Sequence, residues 1–326
     1  MAASDFESMI FAAINANDNN PLAGISMDRL QQVMAFSNSV YELRLQLSDE
    51  ILITVVFGAY EDYDEARIGY HMRFKSINGM NYIIWENMQR GLTERQFWAI
   101  RLDNEILLPH YAADQFGTLL MRYQRSVRKL NIQLSHELMG SCKVDFEINR
   151  FENLEKLKIK NVADFDEILA KTVRPLKELE VEGKNGRFNL RSGRLEESCK
   201  NKVFQVQNIF KSIHTRLTVD EFAQLSASTV EIHIGLLKEN HLFEFVKSWQ
   251  NGTLRREIER YVLYVEGSKT FDVQVFFRMF GVEPDMFSDE RIDLNHEQDA
   301  NKSAKLLFRS SKPRKIIFEQ NRYRHY

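Results

Sequence analysis

A short apolar pattern recurs along this chain and restricts its fold more than any other feature of the sequence. Its form is apolar-x-x-Leu-x-apolar, and it occurs as Val40/Leu43/Leu45, Val127/Leu130/Ile132, Leu154/Leu157/Ile159 and Leu176/Leu179/Val181. Successive occurrences are 27 residues apart from Val127 to Leu154 and 22 apart from Leu154 to Leu176. Both spacings lie in the range of about 20–29 residues that is typical of leucine-rich repeats. The pattern therefore predicts a repeated unit that contains one short strand.

A helix is predicted between two of these strands. Phe165, Ile168 and Leu169 share one helical face in the segment that separates Ile159 from Leu176. Each unit would then be a strand followed by a covering helix, which predicts an α/β fold with an irregular leucine-rich-repeat-like arc. An ordinary β-α-β crossover needs the same apolar spacing, so that alternative stays open.

The later part of the chain continues the alternation of strand and helix. Val230, Ile232 and Ile234 alternate with polar residues, as in a strand with one buried face. Helices are predicted at 217–225 and 242–249, and the sequence Leu-x-Val-Glu-Gly occurs at both 179–183 and 263–267. These features predict a mostly parallel sheet.

The N-terminal third has a different character. Four short runs rich in aromatic and β-branched residues lie at 50–57, 69–77, 81–85 and 97–102. They predict antiparallel strands that cap the arc. The predicted organisation is an N-terminal segment at 1–38, a β-rich part at 39–120, and a repeat-like domain with a basic tail at 121–326.

Bulk properties exclude several classes of protein. The net charge is −2 and the pI is about 6.5, so the whole molecule is not an electrostatic nucleic-acid binder. The two cysteines, Cys142 and Cys199, have no paired spacing, which favours a reducing compartment without a disulfide framework or zinc site. No apolar run is long enough to cross a membrane. A cytoplasmic or nuclear protein without a membrane contact is expected.

Motifs for common enzyme chemistry are missing from the sequence. It contains no G-x-S-x-G, GxxxxGK[ST], GxGxxG or HExxH. The closest pair of histidines, His233 and His241, has no clustered cysteine or carboxylate partner for a metal. The prediction is a non-enzymatic protein with no catalytic, cofactor-binding or metal-binding residues. Trp249 is predicted to lie in the core, because a tryptophan buries a large apolar area.

Two phrases resemble a known family. The segments Leu217-Thr-Val-Asp-Glu-Phe222…Leu225…Val230-Glu-Ile232 and Phe245-Val-Lys-Ser-Trp249-Gln-Asn-Gly252 are similar to phrases of the nematode F-box proteins that carry a type 2 F-box-associated domain. The resemblance implies a substrate-recognition domain of a ubiquitin-ligase adaptor. In that family, an N-terminal F-box docks on a Skp-type adaptor.

The N-terminus departs from the family pattern. The segment 21–33 matches the start of an F-box, but the first repeat-like strand begins at Val40 and leaves no room for the remaining helices. The F-box is therefore predicted to be truncated or missing, which puts the Skp-type adaptor in doubt as a partner. The leading hypothesis is a protein-interaction module with an unknown protein partner.

Two alternatives to the leading hypothesis stay open. One is a functional ligase adaptor with a minimal F-box. The other is nucleic-acid or acidic-partner binding by the basic tail at 302–326, where arginines alternate with tyrosines at the end of the chain. Nucleic acid is the less favoured partner, because basic tails are usually solvated.

A concave surface made by the strands is the predicted partner-binding site. Its candidates are the residues that alternate with the apolar strand positions: Lys129, Asn131, Lys156, Lys158, Glu178, Glu180, Glu231 and His233.

Overall fold

The computed structural model divides the chain into two compact units, Met1–Arg174 and Pro175–Tyr326. It describes residues 40–57, 68–87, 97–135, 137–138, 150–162, 165–182, 197–234, 237–254, 257–265, 271–282, 291–309 and 314–321. Strands hold 44% of these residues and helices 26%. The predicted segment 1–38 lies outside the described residues, and the predicted boundaries at 38 and 120 stay predictions.

The first unit contains seven described strands. The elements are β1 (Val40–Leu47), β2 (Ile51–Phe57), β3 (Ile68–Ile77), β4 (Met80–Asn87), β5 (Phe97–Arg101), α1 (Leu108–Tyr123), β6 (Lys129–Leu134), β7 (Lys156–Lys160) and α2 (Phe165–Ala170). Their order is β7-β6-β1-β2-β3-β4-β5. The β1–β5 run is antiparallel, whereas β6 is parallel to both β1 and β7.

Helix α1 covers one face of this sheet. Its Tyr111 ring lies edge-on to Phe74 of β3 with a centroid separation of 6.2 Å, and its Tyr123 ring lies 6.4 Å from Phe57 of β2.

The β3–β4 hairpin turns at Asn78 and Gly79, which both have positive φ. A two-residue turn with this backbone matches the right-handed twist of the strands it joins.

The second unit also contains seven described strands. The elements are β8 (Glu178–Glu182), α3 (Glu197–Phe204), β9 (Ile209–Leu217), α4 (Val219–Gln224), β10 (Thr229–Ile234), α5 (Glu239–Gln250), β11 (Arg260–Val265), α6 (Val273–Met279), β12 (Arg291–Asn295), β13 (Ser303–Arg309) and β14 (Arg314–Asn321). Their order is β12-β13-β14-β11-β10-β9-β8. The β8–β11 run is parallel, and β14, β13 and β12 extend it with antiparallel pairs.

Aromatic side chains attach the helices of this unit to its sheet. Phe245 of α5 packs on Tyr261 of β11 at 5.8 Å and on Phe318 of β14 at 5.9 Å. Phe276 of α6 packs on Phe308 of β13 at 5.4 Å. These rings place α5 and α6 on the same face of the sheet. The opposite face of each unit, away from α1 in the first unit and from α5 and α6 in the second, is called the open face below.

The predicted leucine-rich-repeat-like arc is wrong. The sheet of each unit is mixed rather than mostly parallel, and seven of the twelve described strand pairs are antiparallel. The apolar pattern correctly marks β1, β6, β7 and β8 as strands with one buried face, and the alternation at 230–234 marks β10. That pattern specifies only which side chains of a strand are buried, because it holds no information on the neighbouring strand or its direction.

Candidate functional site

The eight predicted contact residues all lie on open faces. They are Lys129 and Asn131 on β6, Lys156 and Lys158 on β7, Glu178 and Glu180 on β8, and Glu231 and His233 on β10, and each is half-buried. Within the first unit, the register places Lys129 beside Lys156 and Asn131 beside Lys158. Within the second unit, Lys211 of β9 lies between Glu180 and Glu231, and its Nζ is 3.7 Å from a carboxylate oxygen of Glu180.

Two of these residues belong to a cluster with side chains that the sequence reasoning missed. The Tyr264 hydroxyl on β11 donates a hydrogen bond of 2.7 Å to the Glu231 carboxylate. The His233 ring stacks on the Tyr264 ring at 5.0 Å, and the Lys315 ammonium lies 5.2 Å from the centroid of that ring. We call these four residues, Glu231, His233, Tyr264 and Lys315, the open-face cluster. Strand alternation does not mark the last two, because three consecutive residues are buried both in β11 (Tyr261, Val262 and Leu263) and in β14 (Ile316, Ile317 and Phe318).

The Tyr264 phenol is held in its protonated form. Burial, the hydrogen bond to Glu231 and the charge of that carboxylate together raise its pKa to about 12, while the charge of Arg260 acts in the opposite direction. A phenol with this pKa does not lose its proton near neutral pH, so Tyr264 acts as a hydrogen-bond donor. The cluster therefore presents a fixed aromatic ring between an anionic and a cationic side chain.

A second polar group lies on the open face of the first unit. The register aligns Arg44, Thr54, His71 and Glu86 across β1 to β4. The Thr54 hydroxyl lies 2.9 Å from Nδ1 of His71. A hydroxyl, an imidazole and a carboxylate in one row resemble the arrangement of nucleophilic catalysis. Thr54 is only 3% exposed, however, so a substrate cannot reach its hydroxyl in this structure.

Stability of the first unit is expected to fall in acid because of His71. Burial lowers the pKa of His71 from 6.5; Glu86 opposes this shift and Arg44 adds to it. Above pH 6.5 the ring is neutral in both states, so its stabilising contribution is complete. Below pH 6.5 the unfolded chain takes up the proton first, and the contribution is lost as the pH falls through the folded pKa.

The measurement is the denaturant midpoint of the first unit between pH 7.5 and 5, with hydrogen exchange of β2 and β3 as the readout. The variant His71→Gln should show a shallower loss of stability over this range than the wild type. Equal slopes for the two proteins would show that His71 does not contribute to the acid sensitivity.

A cavity of about 500 Å³ opens at the C-terminal end of α5 in the second unit. We call it the α5-end cavity. Its walls are described residues of α5 and β14 and of the connections that precede β11 and β13. They are Trp249, Gly252, Leu254, Glu257, Ile258, Glu259, His296, Gln298, Asp299, Lys302 and Gln320.

The end of α5 shapes this cavity. The helix is followed by Gly252, which has φ +71°, and a Cβ placed there would lie 2.5 Å from Oε1 of Gln298. The amide Nε2 of Gln298 donates to the carbonyl of Asn251 at 2.7 Å, and the backbone N–H of Glu297 donates to the carbonyl of Gln250 at 2.7 Å. Gly252 therefore allows the segment after β12 to approach the helix closely.

Trp249 forms part of the cavity wall while belonging to the core. It is 4% exposed and packs edge-on against Phe318 at 5.2 Å and against His296 at 5.3 Å. The prediction that Trp249 lies in the core is confirmed. The phrase 245–252 contributes Trp249 and Gly252 to the cavity, but most of the other lining residues were not predicted. They come from segments without a recognisable motif.

The structure also bears on four other features considered in the sequence: a metal site, the two nearby histidines, the basic tail and a membrane-spanning segment. Within the described part of the chain, no group of three or more His, Cys, Asp or Glu side chains is arranged to hold a metal. His233 lies on β10, whereas His241 accepts a hydrogen bond from the backbone of Lys238 in the first turn of α5. The described part of the basic tail forms β13 and β14. No helix among the described residues is long and apolar enough to span a membrane.

The chain was also compared with known proteins. The models of protein families, the curated proteins and the solved structures contain no significant match to it.

Proposed function

We propose that this protein is a non-enzymatic protein-interaction module that recognises a partner protein through the open-face cluster of its second unit. The observation that carries the proposal is the arrangement of Glu231, His233, Tyr264 and Lys315 on the sheet face opposite α5 and α6. Tyrosine is one of the residue types enriched among the residues that dominate binding energy at interfaces.

The cluster is already ordered before a partner binds. Its side chains project from adjacent strands, and Tyr264 is fixed by a hydrogen bond on one side and ring stacking on another. Ordering a side chain costs about 0.5–1.5 kcal/mol on association. A preorganised ring avoids much of this cost, so more of the contact energy stabilises the complex.

The likeness to F-box-associated domains supports the same role. The two phrases of that family lie at 217–232 and 245–252, and the first includes the start of strand β10 with Glu231. In that family the domain is thought to select the substrate of the ligase. We therefore place partner recognition, rather than catalysis, on the second unit.

Reversing the charge of Glu231 tests the proposal. The full-length chain, tagged and bound to a resin, should capture a partner from native lysate, and Glu231→Lys should reduce the recovery of that partner by about tenfold or more. The loss follows from removing the acceptor of the Tyr264 hydroxyl and adding a cation beside Lys211. Quantitative mass spectrometry of the captured proteins measures the recovery.

Two further variants separate binding from folding. Glu244→Lys makes the same charge change at an exposed position of α5 and should leave capture unchanged. Glu231→Gln keeps a hydrogen-bond acceptor of the same size and should reduce capture to a smaller degree. Circular dichroism first checks that Glu231→Lys is folded. The proposal fails if this folded variant captures every wild-type partner at the wild-type level.

A ligase adaptor is the second candidate, favoured by the F-box-like phrase at 21–33. It predicts that the full-length chain binds a Skp-type adaptor and that deletion of residues 1–38 abolishes this binding. Capture of the Skp-type adaptor by neither protein would exclude the adaptor function while leaving the open-face proposal intact.

A further inference from the structure

An Asn–Gly pair, Asn78 and Gly79, forms the tip of the β3–β4 hairpin in the first unit. We infer that Asn78 is a site of spontaneous deamidation in the folded protein, and that its conversion to isoaspartate opens the end of this hairpin. The inference goes beyond the proposed recognition by the open-face cluster, which belongs to the second unit. It rests on the exposure of the pair and on its contrast with a second Asn–Gly pair of the same chain.

Deamidation at this pair needs only the two residues and water. The backbone nitrogen of Gly79 attacks Cγ of Asn78 and forms a new N–Cγ bond, while the Cγ–Nδ2 bond breaks. The proton lost by the Gly79 nitrogen leaves with the amide nitrogen as ammonia. Water then opens the cyclic imide at either of its carbonyl carbons and yields aspartate or isoaspartate. The neutral amide thus becomes a carboxylate, without any oxidation or reduction.

The hairpin tip presents few obstacles to this reaction. Asn78 and Gly79 are both exposed, and a Cβ built on Gly79 would have no atom within 4 Å. Glycine has no side chain that could obstruct the approach of its own nitrogen to Cγ. The turn holds φ of 52° at Asn78 and 74° at Gly79, so its backbone angles must change before the attack. Exposed loop tips with few packed neighbours open locally at a small cost in free energy.

The pair Asn251–Gly252, after α5, is held by several hydrogen bonds. The backbone N–H of Gly252 donates to the carbonyl of Trp249 at 3.2 Å, so the attacking nitrogen is engaged. Oδ1 of Asn251 accepts from the backbone N–H of Thr253 at 3.1 Å and from its hydroxyl at 2.7 Å. The carbonyl of Asn251 accepts from Gln298 at 2.7 Å. Both pairs have the same nucleophile and the same leaving group, so the fold favours reaction at the hairpin.

The two products differ in their effect on the hairpin. Aspartate keeps the length of the backbone, and Asp-Gly forms the same kind of two-residue turn as Asn-Gly. Isoaspartate carries the chain through its side-chain carbon and lengthens the turn, so the pair Ile77–Met80 that closes the hairpin loses its register. Ile77 and Met80 pack against the buried Tyr82 and Ile84, so this apolar cluster should loosen together with the turn.

Ageing of the full-length chain in mildly alkaline buffer tests the inference. Peptide mass spectrometry follows the gain of about 1 Da at each Asn–Gly pair, and electron-transfer fragmentation distinguishes isoaspartate from aspartate. We expect Asn78 to react about tenfold faster than Asn251 in the folded chain, because its turn opens more readily. In denaturant the two pairs should react at similar rates. The third Asn–Gly pair of the sequence, at 185–186, lies outside the described residues and is followed as a separate peptide.

Two variants separate the reaction from its effect on the hairpin. Gly79→Asn places a side chain beside the attacking nitrogen and tolerates the positive φ, so deamidation of Asn78 should slow by about tenfold while the turn is kept. Asn78→Asp carries the charge of the product on a backbone of normal length. It should keep the hydrogen-exchange protection of β3 and β4, whereas the aged chain with isoaspartate should lose protection at the end of the hairpin.

Three results would overturn the inference. The first is reaction of Asn251 as fast as that of Asn78 in the folded chain. The second is no reaction of Asn78 in the folded chain while the unfolded chain reacts. The third is equal protection of β3 and β4 in the fresh chain and in the chain with isoaspartate. None of these measurements depends on partner capture by the open-face cluster, so failure of one proposal is distinguishable from failure of the other.

Discussion

Replacing Trp249 with alanine is expected to lower the free energy of unfolding of the second unit by about 3–5 kcal/mol. The side chain is 4% exposed and packs between α5 and the sheet, in contact with Phe318 and His296. Its removal would leave a hole beside a cavity that already exists, so the surrounding residues cannot easily collapse to fill it. The substitution should also alter the shape of the α5-end cavity.

Hydrogen exchange measured by mass spectrometry is the appropriate readout, because a chain with two compact units need not unfold in one step. Peptides from α5, β11 and β14 should lose protection in Trp249→Ala, whereas peptides from β1 and β2 should keep theirs. Trp249→Phe retains an aromatic ring and should lose less protection. Leu107→Ala, at a leucine that is 66% exposed, is the control for an apolar truncation outside the core. Unchanged protection of α5 in Trp249→Ala would contradict its role in the core.

Replacing Gly252 with alanine is expected to destabilise the second unit by about 2–3 kcal/mol. An alanine in the left-handed region costs about 1–2 kcal/mol, and the φ of Gly252 is +71°. The added Cβ also meets Oε1 of Gln298 at 2.5 Å, so that side chain must move. Its movement breaks the 2.7 Å hydrogen bond to the carbonyl of Asn251, which contributes about 1 kcal/mol.

The chain contains a matched control for this substitution. Gly281 lies in the same unit with φ +69°, and a Cβ there would have no atom within 4 Å. Gly281→Ala should therefore show the backbone cost alone. The double variant Gly252→Ala/Gln298→Ala removes the colliding side chain, and its cost should be less than the sum of the two single costs. Thermal unfolding and exchange of α5 measure these differences, and equal effects of Gly252→Ala and Gly281→Ala would show that the contact with Gln298 has no influence.

Local elements were predictable because their signals are local. The alternation of Val230, Ile232 and Ile234 identified β10, and the apolar spacing at 242–249 identified most of α5. The aromatic and β-branched runs of the N-terminal third are strands β2 to β5, and they pair antiparallel as expected. Each of these patterns depends on a few neighbouring residues that share one face of a strand or helix.

The pairing of the strands could not be predicted from these local patterns. Strand β1 lies between β2, which follows it directly, and β6, which begins more than 80 residues later. A strand can bury its apolar face equally well whether the neighbouring strand runs parallel or antiparallel to it. The repeated spacing thus led to the prediction of an arc, whereas antiparallel pairs make the sheet of each unit mixed.

In the candidate sites, too, only the residues that share one strand or helix were predictable. Strand alternation identified Glu231 and His233 as accessible side chains, but their neighbours Tyr264 and Lys315 come from other strands. The α5-end cavity depends on a glycine after α5 and on Gln298, which lies 46 positions further along the chain. No spacing in the sequence relates such residues, so only the folded arrangement brings them together.

By itself, the amino-acid sequence determined many of the strands, the helices α2, α4 and α5, which faces of these elements are apolar, and that Trp249 belongs to the core. Helices α1, α3 and α6 and strands β9 and β12 were not predicted from it. Burial of an apolar side chain depends on its own segment, so this information is present in the order of residues. The tertiary structure alone decided the direction of each strand pair, the composition of the open-face cluster and the existence of the α5-end cavity. These depend on contacts between distant segments, whose formation is governed by the packing of the whole unit.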